Sequence, residues 1–142
     1  MELTDIETVT HIEHQSTPYG WSKKIFEQSL DSNCCLVLQG ENHPELLGFC
    51  VLQKIVDELH ILNICITREY QKRGWGQALL NAIIAMAKEA SFQDIHLEVR
   101  ISNLAARNLY HNMGFNDVGV RENYYSCEKG REDAVQMCYS IF

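Results

Sequence analysis

A short glycine-containing segment in the middle of the chain has the composition of a phosphate-binding turn. Gly74 and Gly76 lie between an apolar run that ends near Ile66 and a long helical pattern. Glycines at a helix N-terminus let backbone N–H groups approach a phosphate closely, and the helix dipole attracts negative charge. Lys72 and Arg73 add positive charge at the same place. The segment predicts either a phosphate site or an ordinary helix start with solvated basic residues.

The spacing of the glycines excludes the two commonest nucleotide-binding loops. The Gly-Lys-Ser/Thr sequence of nucleotide-triphosphate loops is absent from the segment. Leu79 stands where a dinucleotide-binding fingerprint has its third glycine. A kinase, a GTPase and a dinucleotide-dependent enzyme are therefore disfavoured.

Two side chains downstream of this segment could take part in proton transfer. The run Asp94–Val99 alternates in polarity, so that Glu98 and His96 project from the face opposite its apolar residues. Tyr110 lies in a predicted helix from about Asn103 to Met113. A carboxylate can accept a proton, and a phenol with an ordinary pKa of about 10 can donate one.

Hydrophobic periodicity predicts the elements that position these residues. A first helix around Ile6–Ile12, with Thr4 as its N-cap, and a second from Ser22 to about Leu30 precede the strands. The remaining expected elements are, in order, strands Cys34–Leu38, Leu47–Ile55 and Glu58–Ile66, helix Gly76–Glu89, strand Asp94–Val99, the helix that ends at Gly114, and strands Phe115–Arg121 and Ala134–Ser140. This order predicts one α+β domain over residues 1–142, with a mixed, mostly antiparallel sheet, a central strand–helix–strand crossover and flanking helices.

The composition bounds the class of partner. The net charge of −7 disfavours nucleic acid, because phosphate binding needs a basic surface. It suits a cationic substrate, or it serves only solubility. Apolar stretches are too short to span a membrane, and the acidic start Met1–Asp5 lacks the pattern of a secretion signal, so we expect a cytoplasmic protein without membrane contact.

The cysteines and histidines give no metal-binding pattern along the chain. The sequence has six of each but no C-x-x-C pair. Four cysteines, Cys34, Cys35, Cys50 and Cys65, lie in apolar runs, where cysteine usually serves as a small buried hydrophobe. We therefore expect no metal site. Cys65 as a covalent nucleophile is disfavoured, because no basic partner is evident that would lower its pKa.

Taken together, the motifs resemble the GNAT acetyltransferase superfamily. Gln71-x-x-Gly74-x-Gly76 matches the superfamily's pyrophosphate motif, Gln/Arg-x-x-Gly-x-Gly/Ala, between a strand and a helix. The other resembling stretches are Trp21-Ser22, Asn63–Ile66, Leu97–Arg100, Ser102–Ala106, Leu109-Tyr110, Gly114-Phe115 and Arg121–Tyr125. Within the superfamily the chain is most similar to bacterial enzymes that acetylate the N-terminal alanine of a ribosomal protein. The resemblance extends from about Trp21 to Met137, and it implies the GNAT fold.

The resemblance implies a function and a set of site residues. The expected reaction transfers acetyl from acetyl-CoA to the N-terminal α-amine of a protein, a basic small-subunit ribosomal protein that begins with alanine. Glu98 matches the family's proton acceptor and Tyr110 its proton donor, whereas His96 is a weaker alternative base. The residues expected to hold acetyl-CoA are Ile64, Cys65, Ile66, Gln71, Lys72, Arg73, Gly74, Trp75, Gly76, Gln77 and Asn103, of which Asn103 also suits a helix cap.

Three positions depart from the family pattern and leave the acceptor open. Trp75 replaces a smaller aliphatic residue, Glu122 replaces a second arginine, and Ser126 replaces a proline after the tyrosine pair Tyr124-Tyr125. The tyrosines are candidates for the lining of a peptide groove. Acetylation of a lysine, a polyamine or an aminoglycoside, and a non-catalytic acetyl-CoA sensor, are the alternative hypotheses.

Overall fold

The strands and helices follow the predicted order. The computed structural model describes residues 1–42 and 44–142. Its elements are α1 (Ile6–Ser16), α2 (Lys23–Ser32), β1 (Cys34–Gln39), β2 (Leu46–Ile55), β3 (Glu58–Ile66), α3 (Trp75–Glu89), β4 (Asp94–Arg100), α4 (Leu104–Met113), β5 (Asn116–Cys127) and β6 (Gly130–Ser140), with short 3-10 turns at Leu3–Asp5 and Arg68–Tyr70.

The strands form a mixed, mostly antiparallel sheet. Its six strands have the order β1-β2-β3-β4-β6-β5. β3 and β4 are parallel and are joined through α3, which is the expected strand–helix–strand crossover. The pairs β1–β2, β4–β6 and β5–β6 are antiparallel. The predicted α+β fold class is confirmed.

The chain divides into two compact units. The first comprises Met1–Gln53 and Leu62–Leu79, and the second comprises Lys54–Ile61 and Leu80–Phe142. In the first unit α1, α2 and the strands β1 and β2 enclose an apolar cluster of Ile6, Val9, Ile12, Phe26, Leu46, Phe49 and Val51. The ring of Phe26 lies 5.4 Å from that of Phe49 in an edge-to-face arrangement.

In the second unit the alternation of β4 has the predicted consequence. Ile95, Leu97 and Val99 are buried on one face, and the residues between them are half-buried. Helix α3 buries the expected stripe, of which Leu79 belongs to the first unit and Leu80, Ile83, Ile84 and Ala87 belong to the second. None of the helices in the described ranges is long and apolar enough to cross a membrane.

Helix ends agree with the sequence except at the first helix. Ser22 and Asn103 cap α2 and α4 by accepting the N–H groups of Ile25 and Ala106. The prediction that Thr4 caps the first helix is wrong, because Thr4 lies inside the 3-10 turn and α1 begins after Asp5. There the Asp5 carboxylate accepts the Glu2 N–H at 2.8 Å.

Two further expectations need correction. The last hairpin is longer than its apolar residues indicated, because β5 continues through polar residues to Cys127 and β6 starts at Gly130. Hydrogen-bonded pairing between the two strands extends both of them. Such pairing leaves no periodic pattern of apolar residues in the sequence, so the prediction made both strands too short. Cys34 is exposed rather than buried, whereas Cys50 is buried as expected.

Candidate active site

The Gln71–Gly76 segment forms an open turn at the start of α3. Gly74 has φ +86°, a conformation that L residues rarely adopt, and a Cβ built on it would meet no atom within 4 Å. The Gly74 carbonyl accepts the Ala78 N–H at 3.0 Å, so the helical hydrogen bonds begin here. The N–H groups of the first turn have no partner within the helix and are available to an anion.

The turn is fixed to its surroundings by side chains on both sides of it. Gln71 Nε2 donates to the Ile66 carbonyl at 2.9 Å, which ties the turn to the end of β3. The Arg73 guanidinium lies 5.8 Å from the centre of the Tyr70 ring, and the Tyr70 hydroxyl donates to Glu45 at 2.7 Å. Arg73 is therefore held next to the turn and brings positive charge to it.

A buried carboxylate positions the last residues of β3. Glu13 is 5% exposed and accepts hydrogen bonds from the Asn63 amide and the Trp21 N–H. It connects α1 to Asn63, the residue that precedes Ile64, Cys65 and Ile66, which were expected to line the acetyl-CoA site. Sequence reasoning missed Glu13, although its position seven residues after Ile6 places it on the buried face of α1.

The Cys65 thiol is a poor nucleophile. Burial, opposed by a hydrogen bond with Ser16 and aided by the charge of Glu13, raises the pKa of Cys65 to about 11. The thiol is therefore protonated at neutral pH, and the thiolate is the reactive species. A covalent route through the Cys65 thiolate is therefore disfavoured, as the sequence also indicated.

Glu98 belongs to a cluster of charged and aromatic side chains on the polar face of β4. Its carboxylate accepts the Arg121 Nε–H at 2.9 Å, and it also interacts with the Tyr124 hydroxyl. Arg121 in turn lies 5.3 Å from the centre of the Tyr124 ring. Burial, together with the Glu98 charge, raises the pKa of Tyr124 and raises that of Tyr125 to about 12. Both phenols are protonated hydrogen-bond donors at neutral pH.

An irregularity in β5 places the two tyrosines. Between the pairs Arg121–Ala134 and Tyr125–Glu132, three residues of β5 lie opposite the single residue Asp133 of β6. Asn123 takes up φ 52° in this bulge. Asp133 accepts the Asn123 N–H at 2.9 Å, and this hydrogen bond anchors the bulge to β6.

Arginines fix both sides of the bulge. Arg131 donates to the carbonyls of Asn123 and Tyr124. Arg100 Nη1 donates to the Ser126 carbonyl at 2.7 Å, and its guanidinium lies 4.6 Å from the centre of the Tyr125 ring. Arg100 contacts the backbone carbonyl of Ser126, which a proline at this position would also have. The replacement of proline by Ser126 therefore leaves the Arg100 hydrogen bond intact.

Tyr110 occupies the last turn of α4. It is 7% exposed, and its ring packs at 5.8 Å on Phe115. Gly114, with φ +105°, ends the helix, so that the N–H groups of Gly114 and Phe115 turn back to the Tyr110 carbonyl. The backbone at this phenol is thereby fixed.

The structure brings some of the predicted residues together. Gln71 and Ile66 are in direct contact in the first unit. In the second unit Glu98 meets Arg121 and Tyr124. The alternative base, His96, belongs to a different cluster, with its Nε2 3.6 Å from Glu58 and 3.9 Å from Cys138. Arg121 was recognised as part of a motif, but its pairing with Glu98 needs the sheet register, which the sequence does not contain.

Comparison with known proteins agrees with the fold. The model of the acetyltransferase (GNAT) family matches residues 2–115. The ribosomal protein bS18-alanine N-acetyltransferase of Escherichia coli K12 is 36% identical over 141 residues, which cover 99% of this chain and 95% of that protein. The crystal structure of the ribosomal-protein-S18-alanine N-acetyltransferase from Escherichia coli has a TM-score of 0.91 at 34% identity and covers 99% of this chain and 90% of that one.

A more distant structure shows the same fold with a ligand. A GNAT acetyltransferase from Elizabethkingia anophelis, solved with acetyl-CoA bound, has a TM-score of 0.78 at 23% identity, covering 92% of this chain and 89% of that one. The chain belongs to the GNAT acetyltransferase family. The predicted family, fold and enzyme class are thereby confirmed.

Proposed function

We propose that this enzyme transfers acetyl from acetyl-CoA to the N-terminal α-amine of a protein, and that the acceptor is the N-terminal alanine of a small-subunit ribosomal protein. The observation that carries the proposal is the contact of the Glu98 carboxylate with Arg121 and Tyr124. Near-full-length relatives that are named for this reaction support it. We further propose that residues 1–142 act as one catalytic domain in the cytoplasm.

The residues around Gly74 fit the pyrophosphate of coenzyme A. The open space at Gly74 admits a phosphate close to the backbone, and the α3 N-terminus provides donors and a favourable dipole. Lys72 and Arg73 complement the charge. We propose that this turn, with Trp75, Gly76, Gln77 and the Asn103 side chain, holds the cofactor. The cofactor supplies the acetyl group as a thioester.

Replacing Gly74 with alanine is expected to weaken acetyl-CoA binding by about tenfold or more. The new methyl group occupies the space proposed for the phosphate, and a left-handed backbone costs a non-glycine residue roughly 1 kcal/mol. Isothermal titration calorimetry with acetyl-CoA measures the change in Kd.

Gly130→Ala is the matched control for the backbone cost. Gly130 lies at the start of β6, has φ +118° and likewise has no atom within 4 Å of a built Cβ. This variant carries the same kind of strain but should bind acetyl-CoA normally. Equal Kd values for the wild type and Gly74→Ala would place the phosphate elsewhere.

The chain's own groups meet the proton requirements of the reaction. An α-amine has a pKa of about 7.7–8.0, so a carboxylate suffices to accept its proton, directly or through water. We assign this role to Glu98. Tyr110 donates a proton to the departing sulfur. The N–H groups of Ile64 to Ile66 are assigned to the acyl oxygen, where fixed donors favour developing negative charge.

The acceptor side is assigned to the β5 bulge. Tyr124 and Tyr125 lie edge-to-face with their centroids 4.9 Å apart and combine apolar ring surface with hydroxyl donors. Such a surface suits the backbone and small side chain of an extended peptide. The net charge of −7 favours approach of a basic protein.

An acceptor panel tests the proposal. The purified enzyme, acetyl-CoA and a thiol reagent are incubated with one of four acceptors in separate reactions. The acceptors are a peptide that begins with alanine, the same peptide with a blocked N-terminus and a free lysine, spermidine, and an aminoglycoside. We expect a kcat/KM for the free alanine start at least 100-fold above the values for the other three. Comparable or higher rates with lysine, polyamine or aminoglycoside would contradict the proposed acceptor, and no thiol release with any amine would indicate a sensor.

A further inference from the structure

Three neighbouring strands of the second unit place metal-ligating side chains on one face of the sheet. His60 of β3 lies directly opposite His96 of β4, and Glu58 lies opposite Asp94. Cys138 of β6 lies opposite His96 from the other side. Directly paired residues project to the same face, as do residues two apart on a strand. The sheet register therefore gathers these five residues, which are separated along the chain.

The ligating atoms are close to one another. Glu58 Oε2 lies 2.8 Å from His60 Nε2, and Glu58 Oε1 lies 3.6 Å from His96 Nε2. Cys138 Sγ lies 3.9 Å from His96 Nε2. The ligand atoms of Glu58, His60 and His96 all lie within 4.8 Å of one another, as do those of Asp94, His96 and Cys138.

These distances suit a tetrahedral ion. Zinc–ligand bonds of about 2.0–2.3 Å place neighbouring ligand atoms roughly 3.3–3.7 Å apart. The two longer contacts of His96 are near this range. To form one four-ligand site, the short contact between His60 and Glu58 must open by a small rotation of the half-buried carboxylate. The Cys138 side chain, which groups with His96 and Asp94, must also rotate toward Glu58 and His60. The imidazole rings already stack, with centroids 4.9 Å apart and an angle of 20° between their planes.

We propose that Glu58, His60, His96 and Cys138 form a binding site for a divalent transition-metal ion, with Zn²⁺ the best match. Imidazole, carboxylate and thiolate are the donors zinc prefers, and their mixture disfavours Mg²⁺ and Ca²⁺, which select oxygen. The Asp94 carboxylate, two residues before His96 on β4, lies within 4.8 Å of the Cys138 sulfur. Both histidine side chains are 28% exposed, so an ion can reach them from solvent.

The site has a consequence apart from acetyl transfer. A bound ion would join β3, β4 and β6 across the sheet, and it would therefore stabilise the folded chain over the unfolded one. His96 precedes Glu98 by two residues on the same face of β4, roughly 7 Å along the strand. Neither the acetyl donor nor the acceptor is needed for the ion to bind.

Calorimetric titration of Zn²⁺ into the metal-free, tag-free chain tests the site. We expect one ion per chain and a melting temperature that rises with Zn²⁺ and falls back with a chelator. His60→Gln and His96→Gln should each weaken Zn²⁺ binding by at least about 100-fold, more than the loss of an outer-shell partner. His11→Gln, on the exposed side of α1, is the matched control and should bind like the wild type.

Cobalt substitution tests the sulfur ligand. Co²⁺ in the wild-type site should show thiolate-to-metal charge-transfer absorption, which Cys138→Ser should remove and Cys34→Ser, at an exposed cysteine, should retain. A wild-type chain that binds no Zn²⁺, or binding that survives both histidine substitutions, overturns the proposal. Because the wild-type titration alone can do so, the test does not depend on the variants folding.

Discussion

Glu98→Gln is expected to lower kcat by about 10²–10⁴-fold, which corresponds to roughly 3–5 kcal/mol of transition-state stabilisation. Glutamine keeps the size of the side chain but cannot accept a proton from the attacking amine. It also exchanges the 2.9 Å ion pair with Arg121 for a neutral contact. Steady-state thiol release with an alanine-start peptide measures the effect, and acetyl-CoA affinity should change little.

The loss of an ion pair must be separated from the loss of a base. Glu7→Gln removes a different ion pair, with Lys23 at 3.3 Å, on an exposed part of α1, and its kcat should equal that of the wild type. Glu98→Asp keeps the carboxylate but withdraws it by one methylene, so an intermediate kcat is expected. Wild-type activity in Glu98→Gln would show that another group, or water alone, deprotonates the amine.

Tyr110→Phe is expected to lower kcat by about 10²-fold, at the lower end of the range for general acid catalysis. The departing thiol, with a pKa near that of cysteine at about 8.5, is a tolerable leaving group, so its proton donor contributes less than the base. Phenylalanine preserves the packing of the ring on Phe115, which limits the structural change. Single-turnover acetyl transfer measures the step without product release.

The fold offers a close control for this substitution. Tyr139 packs on the same Phe115, with ring centroids 5.4 Å apart. Tyr139→Phe removes a hydroxyl from the same aromatic cluster at a half-buried position, so it should leave kcat near the wild-type value. If both variants lose activity equally, Tyr110 has a structural role and the proton comes from elsewhere.

The sequence predicted those features that depend on local pattern. The bounds of β3 and the buried stripe of α3 follow from apolar periodicity, and the cap at Asn103 and the stop at Gly114 follow from side-chain chemistry and backbone freedom. The turn at Gly74 was identified for the same reason, since glycine is needed where φ is +86°.

Features that depend on strand register were not predictable. The pairing of Glu98 with Arg121 needs the sheet order and register, in which β6 lies between β4 and β5 and pairs with both. The cluster around His96 arises because β3 and β6 flank β4, so linear spacing showed no ligand pattern. The prediction of no metal site was made from that linear spacing, and the zinc titration tests it.

The position of the transferred acetyl group tests the proposed function most directly. A basic peptide with a free N-terminal alanine and an internal lysine is incubated with the enzyme and acetyl-CoA, and tandem mass spectrometry locates the added group. We expect acetyl on the alanine α-nitrogen, with Glu98→Gln giving little product under the same conditions. Acetyl on the lysine side chain alone, with the α-amine unmodified, would contradict N-terminal acetylation.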